Sequence, residues 1–361
     1  MKDEIIVIRF GRMGDFIVSL PALFHLRASN PNAKITLVTG LAKKSVFKNK
    51  LRYYSGPDQF PWIEIFREKL FDNVVYVNGL GSFKSIQNII LSIAGSNVKK
   101  VYYLSYFGEK FPKIVVKKLF LYVFSFGCFR WKAEKILAKN NSGSNLQAWE
   151  CLNTVGFSGD IEHLIAGLVK LLENRNNTRS LNPELTNIVS NGQKVICVYP
   201  SSTFRHKRWP AEKFAELIRW IVVNGYTVVL VGHQGEYELN ESVSQMASCN
   251  NVVNLAGKTS FVDLLELMDS ALMMIGNDGG LMHVAAIKGI PSITIMSGIF
   301  REKIWDPFGK NSSVIRFPTE CSNCLNEYFC PNGTSRCVSE ISVETVKIKF
   351  KKLVQPKYKC K

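Results

Sequence analysis

The sequence predicts two α/β halves, each a parallel sheet wrapped by helices. Short apolar runs rich in Val and Ile alternate with longer helix-patterned stretches, the grammar of strand-helix-strand units. The alternation breaks at a stretch without apolar residues, Glu173 to Ser180, and then restarts. The loops richest in glycine, hydroxyl and charge each follow a strand, which is where open parallel sheets hold their ligands.

In chain order, Ile5 to Phe10 reads as strand, Phe16 to Ala28 as helix and Lys34 to Thr39 as strand. Asn73 to Asn78 is a further strand, Ser82 to Ala94 a helix and Lys99 to Leu104 a strand. Lys110 to Lys139 is basic and aromatic and yields no assignment; Asn141 to Ser144 is a loop before a helix, Leu146 to Cys151. The polar stretch from Glu173 to Ser180 is an exposed linker, with the domain boundary between it and Gln193. Beyond it come strand Lys194 to Tyr199, helix Ala211 to Asn224, strand Thr227 to Gly232 and helix Glu236 to Ala247. Strand Val252 to Asn254, helix Ser260 to Ser270, strand Ala271 to Gly276, helix 280–288 and strand Ser292 to Met296 complete the second half. The expected domains are 1–185 and 190–340, with a basic helix or tail at 341–361 placed to pack back on the first domain.

Asn277-Asp278-Gly279-Gly280 ends an apolar strand and opens an apolar helix. The first amides of a helix lack intrahelical partners and lie at the positive end of its dipole, so this turn suits an anion, phosphate above all. Asp278 suits the N-cap, Gly279 and Gly280 let a diphosphate approach the backbone, and His283 faces the same pocket. An ordinary strand-to-helix turn with a capping Asp has the same pattern. After the strand ending at Tyr199, the segment Pro200 to Pro210 gathers Ser201, Ser202 and Thr203 with Arg205, His206, Lys207 and Arg208. Hydroxyls and amides can bond phosphate oxygens, and Lys207 can offset charge on a leaving diphosphate. Taken alone, the loop also reads as a solvated basic surface. Trp209-Pro210 opens the next helix with Pro in the first turn, where its missing donor costs nothing.

In the first half, Gly11-Arg12-Met13-Gly14-Asp15 follows the first strand. Arg9 stands where a dinucleotide fingerprint needs its first glycine, so nicotinamide binding is not expected. Asp15 is either a helix cap or a base that takes a proton from an acceptor hydroxyl.

With 361 residues and 46% hydrophobic content, the chain is large enough for two cores. Its net charge of +17 favours polyanionic company: nucleic acid, anionic lipid headgroups or phosphorylated glycans. No RNP, KH or zinc-finger signature marks a nucleic-acid module, so no nucleic-acid partner is expected. Lys2, Asp3 and Glu4 lead directly into a strand rather than a signal-type apolar segment, so a cytoplasmic location is expected. The longest apolar stretch, Leu119 to Phe129, falls short of the roughly 18 to 20 residues that a span needs. Flanked by Lys113, Lys117, Lys118, Arg130 and Lys132, it suits either an anionic membrane surface or a buried core element. Nine cysteines are too sparse for a disulfide scaffold. Cys321, Cys324, Cys330 and Cys337 are spaced either as ligands for a structural zinc or as small buried thiols, and no metal is the expectation carried forward.

Gly14-Asp15 with Leu20-Pro21, the run Ser201 to Pro210, and Asn277 to Ala286, taken in this order, resemble the heptosyltransferase family, glycosyltransferase family 9. The likeness covers about residues 5–40 and 194–345, including Gly232 to Glu236 and the late cysteines. It implies the GT-B fold: two facing Rossmann-like domains with mostly parallel sheets, the first binding acceptor and the second the nucleotide-sugar donor. It implies inverting, metal-independent transfer of a sugar, typically heptose from ADP-heptose, onto a lipopolysaccharide core or related glycolipid acceptor. The enzyme would need no cofactor and would work at the anionic inner face of the inner membrane. Residue by residue, the resemblance implies Asp15 as general base and Lys207 as the cation on the donor phosphates. It implies Ser201, Ser202, Asp278, Gly279, Gly280 and His283 around the diphosphate, Glu236 near the ribose, and Arg12 and Gly14 on the acceptor side.

Two departures stand out. The family often has threonine where Gly279 stands, and Arg205 and Arg208 flank Lys207, which points to a different donor or acceptor. The alternatives are a glycosyltransferase using another nucleotide sugar, a sugar-nucleotide epimerase of the same architecture, or a non-catalytic basic peripheral membrane protein.

Overall fold

The computed structural model describes residues 3–10, 12–40, 61–76, 98–103, 151–152, 155–157, 161–173, 182–190, 193–300, 302–326 and 328–354. The chain divides into two units, Met1–Asn174 and Arg175–Lys361. The expected helix Ser82 to Ala94, the loop Asn141 to Ser144, the basic stretch Lys110 to Lys139 with Leu119 to Phe129, and the linker after Glu173 lie outside the described residues.

In the first unit, β1 (Glu4–Phe10), β2 (Lys34–Gly40), β3 (Asn73–Tyr76) and β4 (Val98–Tyr103) form a parallel sheet in the order β3-β2-β1-β4. Ile5, Ile6, Val7 and Ile8 are all buried, the signature of a strand covered on both faces and the reason it reads as an unbroken apolar run. Helix α1 (Met13–Ser29) begins three residues before the expected Phe16, because the Asp15 carboxylate accepts from the Arg12 amide at 2.7 Å and draws the polar turn into the helix. Two further helices, α2 (Pro61–Leu70) and α3 (Ile161–Glu173), add to the sequence reading. The α3 helix lies against α1, and a Cβ on Gly167 would stand 2.6 Å from the Phe24 ring, so this close approach needs glycine.

In the second unit, β5 (Val195–Tyr199), β6 (Thr227–Leu230), β7 (Val252–Asn254), β8 (Met273–Asn277), β9 (Ser292–Ile295) and β10 (Ser312–Ile315) are parallel throughout, in the order β10-β9-β8-β5-β6-β7. Helices α4 (Pro183–Ser190), α5 (Ala211–Val223), α6 (Tyr237–Ala247), α7 (Phe261–Ser270) and α8 (Gly280–Ile287) connect and cover them. The chain leaves β5 towards β6 and β7, then returns to β8 on the other side. This is a topological switch point, where loops leaving adjacent strands diverge and open a crevice.

The core beneath the sheet joins Ile196, Val198, Ile275 and Ile293 from the strands to Trp209, Phe214 and Ile218. After α9 (Arg336–Ser339), the basic tail 341–361 expected to pack back on the first domain supplies α10 (Val343–Val354) to the second unit. Val346 and Phe350 of α10 are buried, and the Phe350 ring meets Trp220 and Tyr226 edge-on at 5.3 and 5.5 Å. No described helix is long and apolar enough to cross a membrane.

Candidate active site

The crevice of the second unit is built from the loops after β5, β8 and β6. The first two are stitched together by Asn277, the last residue of β8. Its Oδ1 accepts from the Trp209 amide at 2.9 Å and its Nδ2 donates to the Pro200 carbonyl at 2.6 Å. Ser202 Oγ donates to the Asp278 carbonyl at 3.0 Å, and Arg208 Nε donates to the Ser202 carbonyl at 2.8 Å. Trp209 anchors the loop from below, its indole N–H donating to the Ile341 carbonyl at 2.9 Å. Asn277 escaped the sequence reading as a structural residue, although a buried Asn at a strand end is a common signal for bonding to backbone.

Within this frame, Lys207 Nζ lies 3.5 Å from Asp278 Oδ2 and between the rings of Phe204 and Phe300, 5.9 and 5.5 Å from their centroids. Only 9% of Lys207 is exposed, so its ammonium charge is held in place instead of being solvated. Ser201 is fully buried and its Oγ has no hydrogen-bond partner among the described residues. A buried hydroxyl without a partner costs free energy unless a ligand completes it. His283 sits buried in α8, one turn after the strand-to-helix junction. His206, beside Lys207, has its pKa lowered by burial and then by the Lys207 charge, so it is neutral at pH 7.

The junction corrects two expectations. Asp278 is not the N-cap of α8. Gly279 takes that position with extended backbone (φ −178°, ψ 168°), and the Asp278 carboxylate turns to Lys207. The space beside Gly279 is also not open, since a Cβ there would stand 2.7 Å from Tyr199 Cε1. Gly280 begins α8, whose first amides have no intrahelical acceptor.

After β6, Glu236 closes a 3-10 turn, Gln234–Glu236. Its Oε2 accepts from the His233 amide at 2.9 Å, its Oε1 accepts from the Tyr199 hydroxyl at 3.1 Å, and the carboxylate is 7% exposed as a residue. A Cβ at Gly232 would stand 2.6 Å from Glu236 Oε2, so glycine makes room for the carboxylate. Burial, followed by the charge of Glu236, raises the Tyr199 pKa well above 10, keeping the phenol protonated and donating.

In the first unit, Asp15 is the third residue of α1. Arg9, buried in β1, lies 4.0 Å from Asp15 Oδ1 and donates from Nε to the Asp15 carbonyl at 2.9 Å. Arg12, at the N-cap, is exposed, and Gly14 precedes Asp15 in the first turn. Arg9 thus holds Asp15 by backbone and charge.

Cys321, Cys324, Cys330 and Cys337 form no disulfide. Cys330 Sγ accepts from the Ser335 amide at 3.4 Å; burial raises its pKa, but the amides of Ser335, Asn332 and Thr334 outweigh this and lower it overall. Burial raises the pKa of Cys337. Among the described residues, no three His, Cys, Asp or Glu side chains are arranged to hold a metal ion.

Residues 170–332 match the family model of glycosyltransferase family 9 (heptosyltransferase). Nearly all of this match lies in the second unit, which is similar to that family. Lipooligosaccharide heptosyltransferase 2 of Campylobacter jejuni is 25% identical to the chain over 174 residues, which are 47% of this chain and 54% of the relative. The chain therefore spans about half the length of this curated relative. Among solved structures, the family 9 glycosyltransferase of Veillonella parvula superposes with a TM-score of 0.62 at 18% identity, covering 98% of this chain and 97% of the other. The E. coli ADP-heptose lipopolysaccharide heptosyltransferase II superposes with a TM-score of 0.59 at 18% identity, covering 98% of each. At this identity the likeness carries the fold, and the fold is GT-B: two Rossmann-like units with parallel sheets.

Proposed function

We propose that the protein is an inverting glycosyltransferase that moves heptose from ADP-heptose onto a lipopolysaccharide-core or related glycolipid acceptor. The observation that carries this reading is the stitched pair of loops after β5 and β8. They place a buried cation, a buried hydroxyl without a described partner and the first amides of α8 at one switch point. In this reading Ser201, Ser202, Lys207, Gly280 and His283 bind the diphosphate, and Asp278 orients Lys207. Glu236 binds the ribose through whichever lone pairs His233 and Tyr199 leave it.

Asp15 takes the proton from the acceptor hydroxyl as that oxygen attacks the anomeric carbon and the bond to the diphosphate breaks. The electron pair leaves with the diphosphate, whose growing negative charge Lys207 and the helix amides offset. One base and one stabilised leaving group are the equipment that a single inverting displacement needs, and Arg12 and Gly14 border the base on the acceptor side. The fixed cation and amides supply positive charge without an obligatory metal, so transfer should persist in EDTA. The net charge of +17 and the curated heptosyltransferase relative support an acceptor rich in phosphate or acidic sugar, met at the cytoplasmic face of an anionic membrane.

The test is to incubate the protein with ADP-heptose, with and without a heptose-deficient lipopolysaccharide acceptor, and to weigh the acceptor by mass spectrometry. The reading expects one added heptose and ADP release that depends on the acceptor. Conversion of the nucleotide sugar without acceptor would point to an epimerase. Transfer from a different nucleotide sugar alone would overturn the donor assignment.

A further inference from the structure

Tyr199 ends β5, the strand between the diphosphate turn and the Glu236 turn, and its side chain touches both. On the β6 side its hydroxyl donates to Glu236 Oε1 at 3.1 Å. On the β8 side a Cβ at Gly279 would meet Tyr199 Cε1 at 2.7 Å, Oη at 3.4 Å and Cζ at 3.5 Å. Beneath it, Gly276 pairs with Tyr199 across the two strands, and a Cβ there would lie 2.8 Å from Tyr199 Cβ. Tyr199 therefore lies along the end of β8, its carbonyl oxygen and Cβ taking the room beside Gly276 and its ring the room that a side chain at 279 would need. Tyr199 is 8% exposed and Glu236 is 7% exposed, so the pair is packed rather than solvated.

We propose that Tyr199 is a positioning and specificity-determining residue of the donor site, a strut that requires glycine at 279 and orients Glu236 towards the ribose hydroxyls. This deepens the donor-site reading and rests on it. The exchange has a chemical consequence. A threonine at 279 would offer the diphosphate a hydroxyl, but the phenol occupies that space, and its own hydroxyl is committed to Glu236. The site gives up one side-chain contact to phosphate and gains a carboxylate with one oxygen fixed by the phenol and the other by the His233 amide. A carboxylate held at both oxygens has its remaining lone pairs in fixed directions, so it discriminates between sugars that present a hydroxyl there and sugars that do not.

Two measurements on the full chain test the strut. The first is isothermal titration with ADP and with 2′-deoxy-ADP. The wild type should prefer ADP, whereas Tyr199→Phe should bind ADP about tenfold more weakly, with its preference over 2′-deoxy-ADP falling towards one. Equal ADP affinity and an unchanged preference in Tyr199→Phe would overturn the role. A wild type that ADP does not saturate would overturn the donor-site reading and the nucleotide role together. The second measurement needs no ligand. Gly279→Thr should lower Tm in the wild-type background and cost little in a Tyr199→Ala background, because the clash is with the phenol ring. Strictly additive Tm changes would show that the ring does not dictate glycine at 279.

Discussion

Lys207 is a cation that the fold has taken out of water and paired at 3.5 Å with Asp278. Diphosphate would compete for the same ammonium, so Lys207→Ala should weaken ADP binding about tenfold and slow transfer at saturating donor as well, both measured in one kinetic series. A change confined to acceptor KM would place the donor phosphates elsewhere. Asp15 is expected to act only on chemistry. Asp15→Asn keeps an acceptor for the Arg12 amide and should reduce turnover by about two to four powers of ten while leaving the Kd for ADP within a few-fold, as stopped assays and titration would show. His206 carries a pH prediction. Its folded pKa is lowered, so the unfolded chain binds more protons once the pH drops below the ordinary value of 6.5. Its contribution to stability is intact above that value and is lost as pH falls through the folded value. Chemical denaturation from pH 7.5 to 5.0 should show a stability decline that His206→Gln makes shallower.

At the scale of elements, the strands were the most legible part of the chain. Val195 to Tyr199 and Met273 to Asn277 are buried without interruption, so their apolar runs stand out in one dimension. The loop residues after them were legible by type: glycines, hydroxyls and a lysine after a strand in an α/β chain mark an anion site. Their partners were not, because the contacts are distant in sequence. Asn277 meets a backbone amide 68 residues away, and the Tyr199 ring that dictates Gly279 belongs to another strand. The same limit applies to Asp278, whose capping role on paper gave way to a lysine 71 residues earlier. Helix α3 did carry a local signal: Asp160, a residue type suited to a cap, stands directly before Ile161 in the sequence, and Leu164, Leu168 and Leu172 recur at helical spacing and are all buried. Asn277 gives this scale its prediction. Asn277→Ala removes two buried bonds between the β5 and β8 loops and should destabilise the protein by about 2–4 kcal/mol in urea unfolding, with weaker ADP binding. An unchanged midpoint would mean that the loops hold their positions without the stitch.

For the whole molecule, architecture and charge followed from different features of the sequence. Alternating strands and helices on either side of a polar stretch foreshadowed two parallel α/β units, and the structure has them. Net charge says nothing about fold, but at +17 it predicts association with vesicles containing anionic lipid that weakens steeply as salt rises, readable by cosedimentation. Binding that is equally strong to neutral vesicles, or indifferent to salt, would remove the electrostatic account of where the protein works.

The most direct measurement is calorimetric titration of ADP into the wild-type chain and into Lys207→Ala. A diphosphate cradle at the switch point of the second unit predicts saturable one-to-one binding that the substitution weakens about tenfold. Absence of saturable binding to the wild type, or equal affinity in the two proteins, would contradict it.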